Sequence, residues 1–323
     1  MKARILVLGA TGFVGRHLVK AISSTEWGEP VAASRREGSG VRRVDAADPA
    51  SLAAALADVD GVVNCVAGAP ATIVDNARAL FAALDARGVP MPVVHFSSMA
   101  VYGAAEGRID ETAVLDAVSP ALSPALSPYG KAKAESEGLL TSLPALTILR
   151  PGCIYGGGSP QWSVRIAQLL RARRLGDLGA AGDGCSNLVH IDDVVQAALA
   201  ALRMPASGAQ VYNLAMADAP RWNEYFVAYA RILGATPVER IGARRLALET
   251  KVLAPALKIA EIAGRKLGGV KLPPPLPPSL ARLWQQDIRL DASRAERAFD
   301  IAWTPWRVAL QAETFMAGVP SAA

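Results

Sequence analysis

Gly9-Ala-Thr-Gly12-Phe-Val-Gly15 follows the apolar run Ile5-Leu6-Val7-Leu8 and opens a stretch with helical hydrophobic spacing. A glycine-rich turn between a strand and a helix lets the backbone approach a phosphate closely. The free N–H groups and the positive dipole at the start of that helix favour the anion. A glycine loop alone is a weak signal, but the strand and helix around it predict a dinucleotide site that includes Gly9, Thr11, Gly12, Phe13, Val14 and Gly15.

Around this loop, short apolar runs alternate with longer alanine- and leucine-rich segments. The runs predict buried parallel strands at residues 4–8, 31–33, 61–66, 92–96 and 146–149. The longer segments predict helices near 13–23, 50–57, 72–87 and 128–141. Such alternation implies right-handed crossovers and an α/β fold, a Rossmann-type doubly wound parallel sheet with its ligand crevice at the carboxyl ends of the strands.

The pattern becomes less regular after about residue 155, where helices are expected near 162–173, 192–202, 222–233 and 245–268. We therefore expect a dinucleotide-binding domain over 1–155, with contributions from about 185–215, and a smaller substrate-binding lobe over 156–323. The proline-rich run 272–278 predicts an extended connector. The repeated Ala-Leu-Ser-Pro sequence at 121–128 predicts a loop directly before Tyr129.

Composition excludes several other classes of protein. Hydrophobic residues make up 51% of the chain and charged residues 20%, which is typical of a globular protein. The net charge of +5 comes without a basic tract interleaved with aromatics, so we expect no nucleic-acid partner.

Cys65, Cys153 and Cys185 lack metal-ligand spacing, so we expect neither a metal nor a disulfide framework, and a cytoplasmic location fits best. A membrane span needs about 18 or more consecutive apolar residues, and we expect none.

The choice of cofactor depends on the end of the second strand, where NAD-binding folds carry an acidic residue for the ribose hydroxyls. This chain has Ser34-Arg35-Arg36 there. Guanidinium groups suit a 2′-phosphate, so NADP is expected ahead of NAD, although one or both arginines can equally be solvated loop charges. Asp45 is placed either to meet the adenine edge or to cap a helix.

Tyr129-Gly-Lys-Ala-Lys133 places a phenol and an ammonium four residues apart, on one face of a helix. A cation beside the phenol would lower its pKa from about 10 toward the range in which a general acid–base works best. Lys131 lies on another face.

With Ser97-Ser98-Met-Ala-Val-Tyr-Gly103, these motifs resemble the extended short-chain dehydrogenase, or NAD-dependent epimerase/dehydratase, family. The resemblance implies that Ser98 hydrogen-bonds the reacting oxygen. It also implies that Lys133 holds the nicotinamide ribose. Arg150-Pro-Gly-Cys-Ile-Tyr-Gly156 is similar to a family loop whose backbone lies near the nicotinamide, which adds to the cofactor site Pro151, Gly152, Cys153 and Ile154. The expected cofactor set further includes Ala46, Val66, Ala67, Tyr129 and Lys133.

The resemblance extends to two more segments and fails at two others. His190-Ile-Asp-Asp193-Val is similar to a segment that opens a helix, and Trp303-Thr-Pro305 to part of the closing pattern. The arginine with which nucleotide-sugar members grip a diphosphate is absent from Gly184-Cys-Ser-Asn187. The family's Asn-x-x-Gly-Thr run is not recognisable around Asp75-Asn76-Ala77. Both departures weaken the case for a nucleotide-sugar substrate.

The sequence thus favours an oxidoreductase that interconverts a secondary alcohol and a ketone on an apolar or alicyclic, hydroxysteroid-like molecule. Tyr129 would move the proton, Ser98 would polarise the oxygen, and NADP or NAD would move the hydride. The alternatives are a nucleotide-sugar epimerase or dehydratase with tightly bound NAD, and a non-catalytic NADP-binding sensor.

Three further expectations concern the rest of the chain. The family resemblance suggests a homodimer formed by helices that flank the sheet. Residues 244–268 form a basic amphipathic pattern, kinked near Pro255, which suits packing on the core, a lid, or peripheral contact with a membrane. His17, His95 and His190 are expected to be architectural, and Cys153 a packing residue.

Overall fold

The computed structural model describes residues 1–36, 38–113, 115, 127–205, 207–257 and 274–316. Its strands are β1 (Ala3–Leu8), β2 (Gly28–Ser34), β3 (Arg42–Arg43), β4 (Gly61–Asn64), β5 (Val93–Phe96), β6 (Gly107–Ile109), β7 (Ala145–Pro151), β8 (Cys153–Tyr155), β9 (Leu188–His190), β10 (Gly208–Leu214) and β11 (Ile288–Leu290). Seven of them form one parallel sheet in the order β10-β7-β5-β4-β1-β2-β3. The predicted doubly wound parallel sheet is confirmed.

Helices cover both faces of this sheet and extend into a second lobe. They are α1 (Phe13–Ser23), α2 (Pro49–Leu56), α3 (Pro70–Arg87), α4 (Pro128–Leu140), α5 (Arg165–Arg171), α6 (Ile191–Ala201), α7 (Trp222–Ile232), α8 (Ala243–Leu248), α9 (Pro278–Gln285), α10 (Ser293–Phe299) and α11 (Trp306–Met316). Short 3₁₀ turns occupy Met99–Tyr102 and Gly179–Gly182, and π-helical turns occupy Pro160–Val164 and Glu249–Leu253.

Burial on both faces explains why the central strands have continuous apolar sequences. In β1, Ile5 and Val7 pack on the side of α1 and α6, whereas Leu6 and Leu8 pack on the side of α2 and α3. The second lobe has its own core of large aromatic side chains, among them Trp222 and Trp284, both fully buried. The fold therefore has a two-faced sheet core and a separate aromatic core beside it.

The predicted strands were found, but the sequence understated the width of the sheet. It did not resolve β3, because two residues make no pattern, or β10, whose sequence Gly-Ala-Gln-Val-Tyr-Asn-Leu mixes polar and apolar residues. β10 lies within the range 185–215, where a strand contribution to this domain was expected. The strand predicted for 61–66 ends at Asn64, so Val66 lies in the loop beyond it.

Several boundaries in the second half needed correction. The helix predicted near 162–173 begins as a π turn and continues as α5. The helix predicted for 245–268 begins at Ala243 and changes to a π turn before Pro255, and residues 258–268 lie outside the described residues. Pro278 starts α9, so the extended connector ends at Pro277, while 272 and 273 are not among the described residues. Of the repeat at 121–128, residues 121–126 also fall outside the description.

The start of α4 is set by local chemistry. Ser127 is its N-cap, and the Ser127 side-chain oxygen accepts a hydrogen bond from the Gly130 N–H at 3.0 Å. Pro128 occupies the first helical position, where its missing N–H costs nothing. This cap puts Tyr129 in the first turn of α4.

Buried polar contacts attach the second lobe to the sheet. The Asp193 carboxylate at the start of α6 accepts hydrogen bonds from the Thr304 N–H and hydroxyl at 2.9 and 2.6 Å. The Asn187 side chain bonds the backbone of β11 at Ile288 and Leu290, at 2.8 and 2.9 Å. The two segments that resemble the family's His-Val-x-Asp and closing patterns are thus joined in space. Among the described residues, no helix is long and apolar enough to cross a membrane.

A buried ion pair joins α4 to β7. The Glu137 carboxylate accepts hydrogen bonds from Arg150 Nε and Nη2, the shortest at 2.6 Å, and each side chain is 5% exposed. Removing one partner of a buried pair leaves the other charge uncompensated.

We expect Glu137→Gln to lower the free energy of unfolding by about 3–5 kcal/mol, because Arg150 would remain buried without its counter-ion. The measurement is urea denaturation followed by circular dichroism. Glu135→Gln is the matched control on the same helix, where the carboxylate is largely exposed, and should shift stability by less than about 0.5 kcal/mol. Equal midpoints for the two variants would contradict the expectation.

Candidate active site

The glycine loop between β1 and α1 has the geometry of a phosphate cradle. Gly9 has a positive φ of 76°, and a Cβ there would lie 3.0 Å from the Cys65 carbonyl oxygen. A Cβ on Gly15 would lie 2.3 Å from the Gly9 carbonyl oxygen, so this glycine lets α1 pack directly on the loop. The N-cap of α1 is Gly12, which has no side chain to bond the first N–H groups of the helix. The first turn of α1 also contains no acidic residue. The N–H groups at the start of α1 are therefore available to a pyrophosphate.

A cavity of about 390 Å³ lies at the carboxyl ends of β1, β2 and β4. The sheet order places β1 between β4 and β2, so this cavity is at the switch point where ligands bind in doubly wound sheets. The predicted cofactor residues that line it are Gly9, Thr11, Gly12, Ser34, Arg35, Asp45, Ala46, Val66 and Ala67.

Two predicted cofactor residues line neither cavity, and one alternative for a third residue is ruled out. Gly15 lines neither this cavity nor the larger one, because its role is to bring helix and loop together. Arg36 also lies outside both linings, and its backbone exchanges two hydrogen bonds with the Ser34 hydroxyl at 2.6 and 3.2 Å. The capping alternative for Asp45 is wrong, because Asp48 is the N-cap of α2.

A second cavity, of about 910 Å³, adjoins the first through the shared residues Cys65 and Ala67. The predicted site residues along its wall are Phe13, Val14, Ala67, Ser98, Tyr129, Lys133, Pro151, Gly152, Cys153 and Ile154. The structure thus gathers residues from five separate segments of the chain around one space. Ser97 also borders it, and the Ser97 hydroxyl is buried without a hydrogen-bond partner in the described structure.

The Ser98 hydroxyl lies close enough to the Tyr129 phenol to affect its pKa. Ser98 has extended backbone and starts the 3₁₀ turn after β5, where its Oγ accepts from the Ala100 N–H at 3.2 Å. Burial raises the pKa of Tyr129 above its usual value of 10.0, and the hydrogen bond with Ser98 partly offsets that rise. The phenol is therefore protonated at neutral pH.

Lys133 lies one turn further along α4 and is 2% exposed. Lys133 Nζ donates to the carbonyl oxygens of Phe96, the last residue of β5, at 2.6 Å and of Val66, in the loop after β4, at 3.3 Å. Burial lowers the pKa of Lys133 from 10.5 to about 8. The pKa of Tyr129 is raised and not lowered as expected from a neighbouring cation, because burial of the phenol dominates.

Two buried networks support these side chains and were not recognised from sequence. Arg150 Nη1 donates to the Tyr102 hydroxyl at 2.9 Å, and that hydroxyl donates to Asn213 Oδ1 at 2.7 Å. In the second network, the Asn64 side-chain amide contacts Asn76 and His95, which in turn contacts the Ser136 hydroxyl. The first network had a sequence signal, because Glu137, which pairs with Arg150, stands four residues after Lys133 and therefore on the same helix face.

The histidines and Cys153 have the contacts expected of structural residues. Burial lowers the pKa of His95 well below 6.5, so its ring is neutral between two hydrogen-bond partners. His17 Nδ1 contacts the Phe13 carbonyl oxygen at 2.7 Å, and His190 caps α6. Burial raises the pKa of the Cys153 thiol, which excludes a reactive thiolate at neutral pH.

The second lobe closes the large cavity with residues that sequence analysis did not select. They are Pro160, Gln161, Trp162, Leu283 and Gln286. Gln286 Nε2 donates to the carbonyl oxygens of Gly103 and Ala105, both at 2.8 Å. These hydrogen bonds join the second-lobe wall of the cavity to the loop that follows Ser98. Residues 236–290 match no recognised motif, so the sequence offered no signal for Leu283 or Gln286.

A phosphate cradle at the switch point, continuous with a cavity bordered by Ser98, Tyr129 and Lys133, defines a dinucleotide-dependent enzyme of the short-chain dehydrogenase type. Comparison with known proteins agrees. Residues 5–215 match the model of the NAD dependent epimerase/dehydratase family. The chain belongs to this family and is an NAD(P)-dependent enzyme.

Individual relatives are more distant. The chain is 31% identical over 263 residues to the 3-diazoavenalumate denitrifying reductase of a Streptomyces species. The match covers 72% of this chain and 83% of the reductase. It is 29% identical over 147 residues to the protein YeeZ of Escherichia coli K12, covering 45% of this chain and 47% of that protein.

Solved structures share the fold. UDP-N-acetylglucosamine 4-epimerase from Bacillus cereus superposes with a TM-score of 0.71 at 16% identity, covering 98% of this chain and 100% of that one. The human epimerase family protein SDR39U1, solved with NADPH, superposes with a TM-score of 0.72 at 16% identity, covering 97% and 99%.

We expect Gly15→Ala to weaken dinucleotide binding at least about tenfold, because a methyl group 2.3 Å from the Gly9 carbonyl oxygen must push α1 away from the loop. The measurement is titration of nicotinamide fluorescence. Gly138→Ala is the control, since a Cβ on this glycine of α4 meets nothing within 4 Å. Undiminished binding by Gly15→Ala would show that the loop does not hold the cofactor in this way.

Proposed function

We propose that this enzyme is an NADP-preferring oxidoreductase that interconverts a secondary alcohol and a ketone on an apolar or alicyclic molecule of the hydroxysteroid type. The observation that carries the proposal is that Ser98, Tyr129 and Lys133 lie together on the wall of one large cavity. The Streptomyces relative is named as a reductase, which supports the oxidoreductase alternative over the epimerase.

The proposed chemistry divides between cofactor and protein. The bound nicotinamide supplies or accepts the hydride at the carbon. In ketone reduction, the protonated Tyr129 phenol donates its proton to the carbonyl oxygen, so that the C=O bond becomes CH–OH. The raised pKa of Tyr129 suits this acid role. In oxidation, the phenolate takes the alcohol proton back.

Ser98 and Lys133 hold the reacting groups in this proposal. The Ser98 hydroxyl, which lies beside the Tyr129 phenol, turns its one proton to the substrate oxygen and fixes the distance of that oxygen from the phenol. Lys133 has three N–H donors, two of which go to the carbonyls of Phe96 and Val66. The third is available to the nicotinamide ribose.

The lining of the large cavity supports an apolar substrate. Lys133 is the one residue that carries charge at neutral pH among the described residues along it, and the second-lobe wall offers Pro160, Trp162 and Leu283. The described part of the lining contains no arginine that could pair with the diphosphate of a nucleotide sugar, and Lys133 is already held by backbone carbonyls. The division into a dinucleotide-binding domain over 1–155 and a substrate lobe over 156–323 is part of the same proposal, as is a cytoplasmic homodimer.

We expect Tyr129→Phe to reduce ketone reduction by about 10²–10⁴-fold while dinucleotide binding stays within about twofold, because only the proton donor is lost. The assay follows nicotinamide absorbance with a panel of alicyclic and steroid ketones. The same preparations are offered UDP- and GDP-sugars. Sugar epimerisation without net nicotinamide turnover would instead identify an epimerase, and a Phe variant with full activity would exclude Tyr129 as the donor.

Arg35 carries the preference for NADP in this proposal, because it lines the small cavity whereas Arg36 does not. We expect Arg35→Ala to weaken NADPH binding about 10-fold to 100-fold, the range of a lost charge-assisted hydrogen bond, and to leave NADH binding unchanged. Arg36→Ala is the matched control and should change neither affinity. Tighter binding of NADH than NADPH by the unaltered enzyme would contradict the preference.

A further inference from the structure

We propose that the outer face of α8 and the π turn that follows it docks on an anionic membrane surface. This docking face consists of Arg244, Leu248, Lys251 and Val252. Leu248 and Val252 are 58% and 59% exposed, and Leu253 beside them is 38% exposed. Large apolar side chains with such exposure are otherwise scattered singly over the described part of the chain, as at Val89 and Val308.

The docking face is a continuous stripe along the helix. Arg244, Leu248, Lys251 and Val252 follow one another at spacings of four, three and one, and all are exposed. Such spacing places side chains on one side of a helix, where cations alternate with apolar groups. A helix whose cations flank exposed apolar side chains has the composition of an interfacial membrane-binding helix.

The opposite face of the same segment is firmly attached to the protein. Leu246, Glu249, Thr250 and Ala254 are buried. The Glu249 carboxylate pairs with Arg174, the shortest contact being 2.6 Å to Nη2. These contacts fix the orientation of the segment, so Leu248 and Val252 are held toward solvent by the fold.

The distribution of charge favours an anionic surface. Residues 244–271 contain seven lysines and arginines against two glutamates, a net charge of +5. The whole chain has the same net charge, +5, so the remainder of the sequence is neutral on balance. Positive charge concentrated in this stretch of the sequence, with Arg244 and Lys251 beside exposed apolar side chains, suits a leaflet rich in anionic lipid, which attracts lysine and arginine. A nucleic acid would use the charge but not the apolar groups.

The docking face lies near the wall of the large cavity. The π turn Glu249–Leu253 packs against α9, which supplies Leu283 to that wall. Membrane docking would therefore bring the second-lobe side of an apolar cavity close to lipid. Only this last consequence rests on the proposed function, because docking itself requires neither catalysis nor a substrate.

The test is co-sedimentation of the full chain with vesicles of about two parts phosphatidylcholine to one part phosphatidylglycerol, against pure phosphatidylcholine. We expect the anionic vesicles to bind at least about tenfold more protein. Leu248→Ser with Val252→Ser, and separately Arg244→Gln with Lys251→Gln, should each reduce that binding about tenfold. Val89→Ser with Val308→Ser is the matched control, because each of these valines is 61% exposed, and it should bind like the unaltered chain.

Retained dinucleotide binding shows that each variant is folded. The proposal is overturned if the unaltered chain ignores anionic vesicles, or if the serine pair binds them as well as the unaltered chain does. It is also overturned if sedimentation velocity shows self-association that the serine pair abolishes, since the face would then join two copies of this chain. None of these outcomes depends on ketone reduction, so failure of docking and failure of the proposed activity are distinguishable.

Discussion

The ion pair between Glu137 and Arg150 is the constraint on which the geometry of the candidate site depends. It joins α4, which carries Tyr129 and Lys133, to β7, which lies between β10 and β5 in the sheet. Arg150 also bonds the Tyr102 hydroxyl, which belongs to the 3₁₀ turn that Ser98 begins. Burial alone would lower the pKa of Arg150, but the carboxylate of Glu137 outweighs it and raises that pKa. Arg150 therefore stays charged beside Glu137, and the pair keeps three elements in one relative position.

This arrangement explains an unusual property of α4. Most helices that pack on a sheet turn an apolar stripe toward it. α4 instead buries Lys133, Ser136 and Glu137, each satisfied by a partner from the sheet or from its own helix. Buried polar groups are costly unless they are fully paired, so such a helix tolerates little displacement. The rigidity that positions the phenol of Tyr129 follows from this pairing.

The two cavities differ in chemistry because they are built from different parts of the chain. The smaller one is made of glycine loop and strand ends, where backbone N–H groups and Arg35 suit a phosphorylated ligand. The larger one is completed by the second lobe, which contributes Pro160, Trp162 and Leu283 together with the polar Ser159, Gln161 and Gln286. Gln286 links the two parts, since its side chain bonds the loop after Ser98 while it borders the larger cavity. A substrate in this cavity would touch both lobes at once.

The sequence by itself determined the sheet, the glycine loop and the Tyr129–Lys133 pair, because each depends on local patterns. Apolar runs specify buried strands, glycines specify the turn, and a spacing of four places two side chains on one helix face. It did not determine which residues far apart in the chain would meet. Arg36 adjoins Arg35 in sequence but does not line the cavity, and Lys133 is held by the backbone carbonyls of Phe96 and Val66 while burial dominates the pKa of the phenol. Burial and long-range pairing decide such outcomes, and only the packed tertiary structure fixes them.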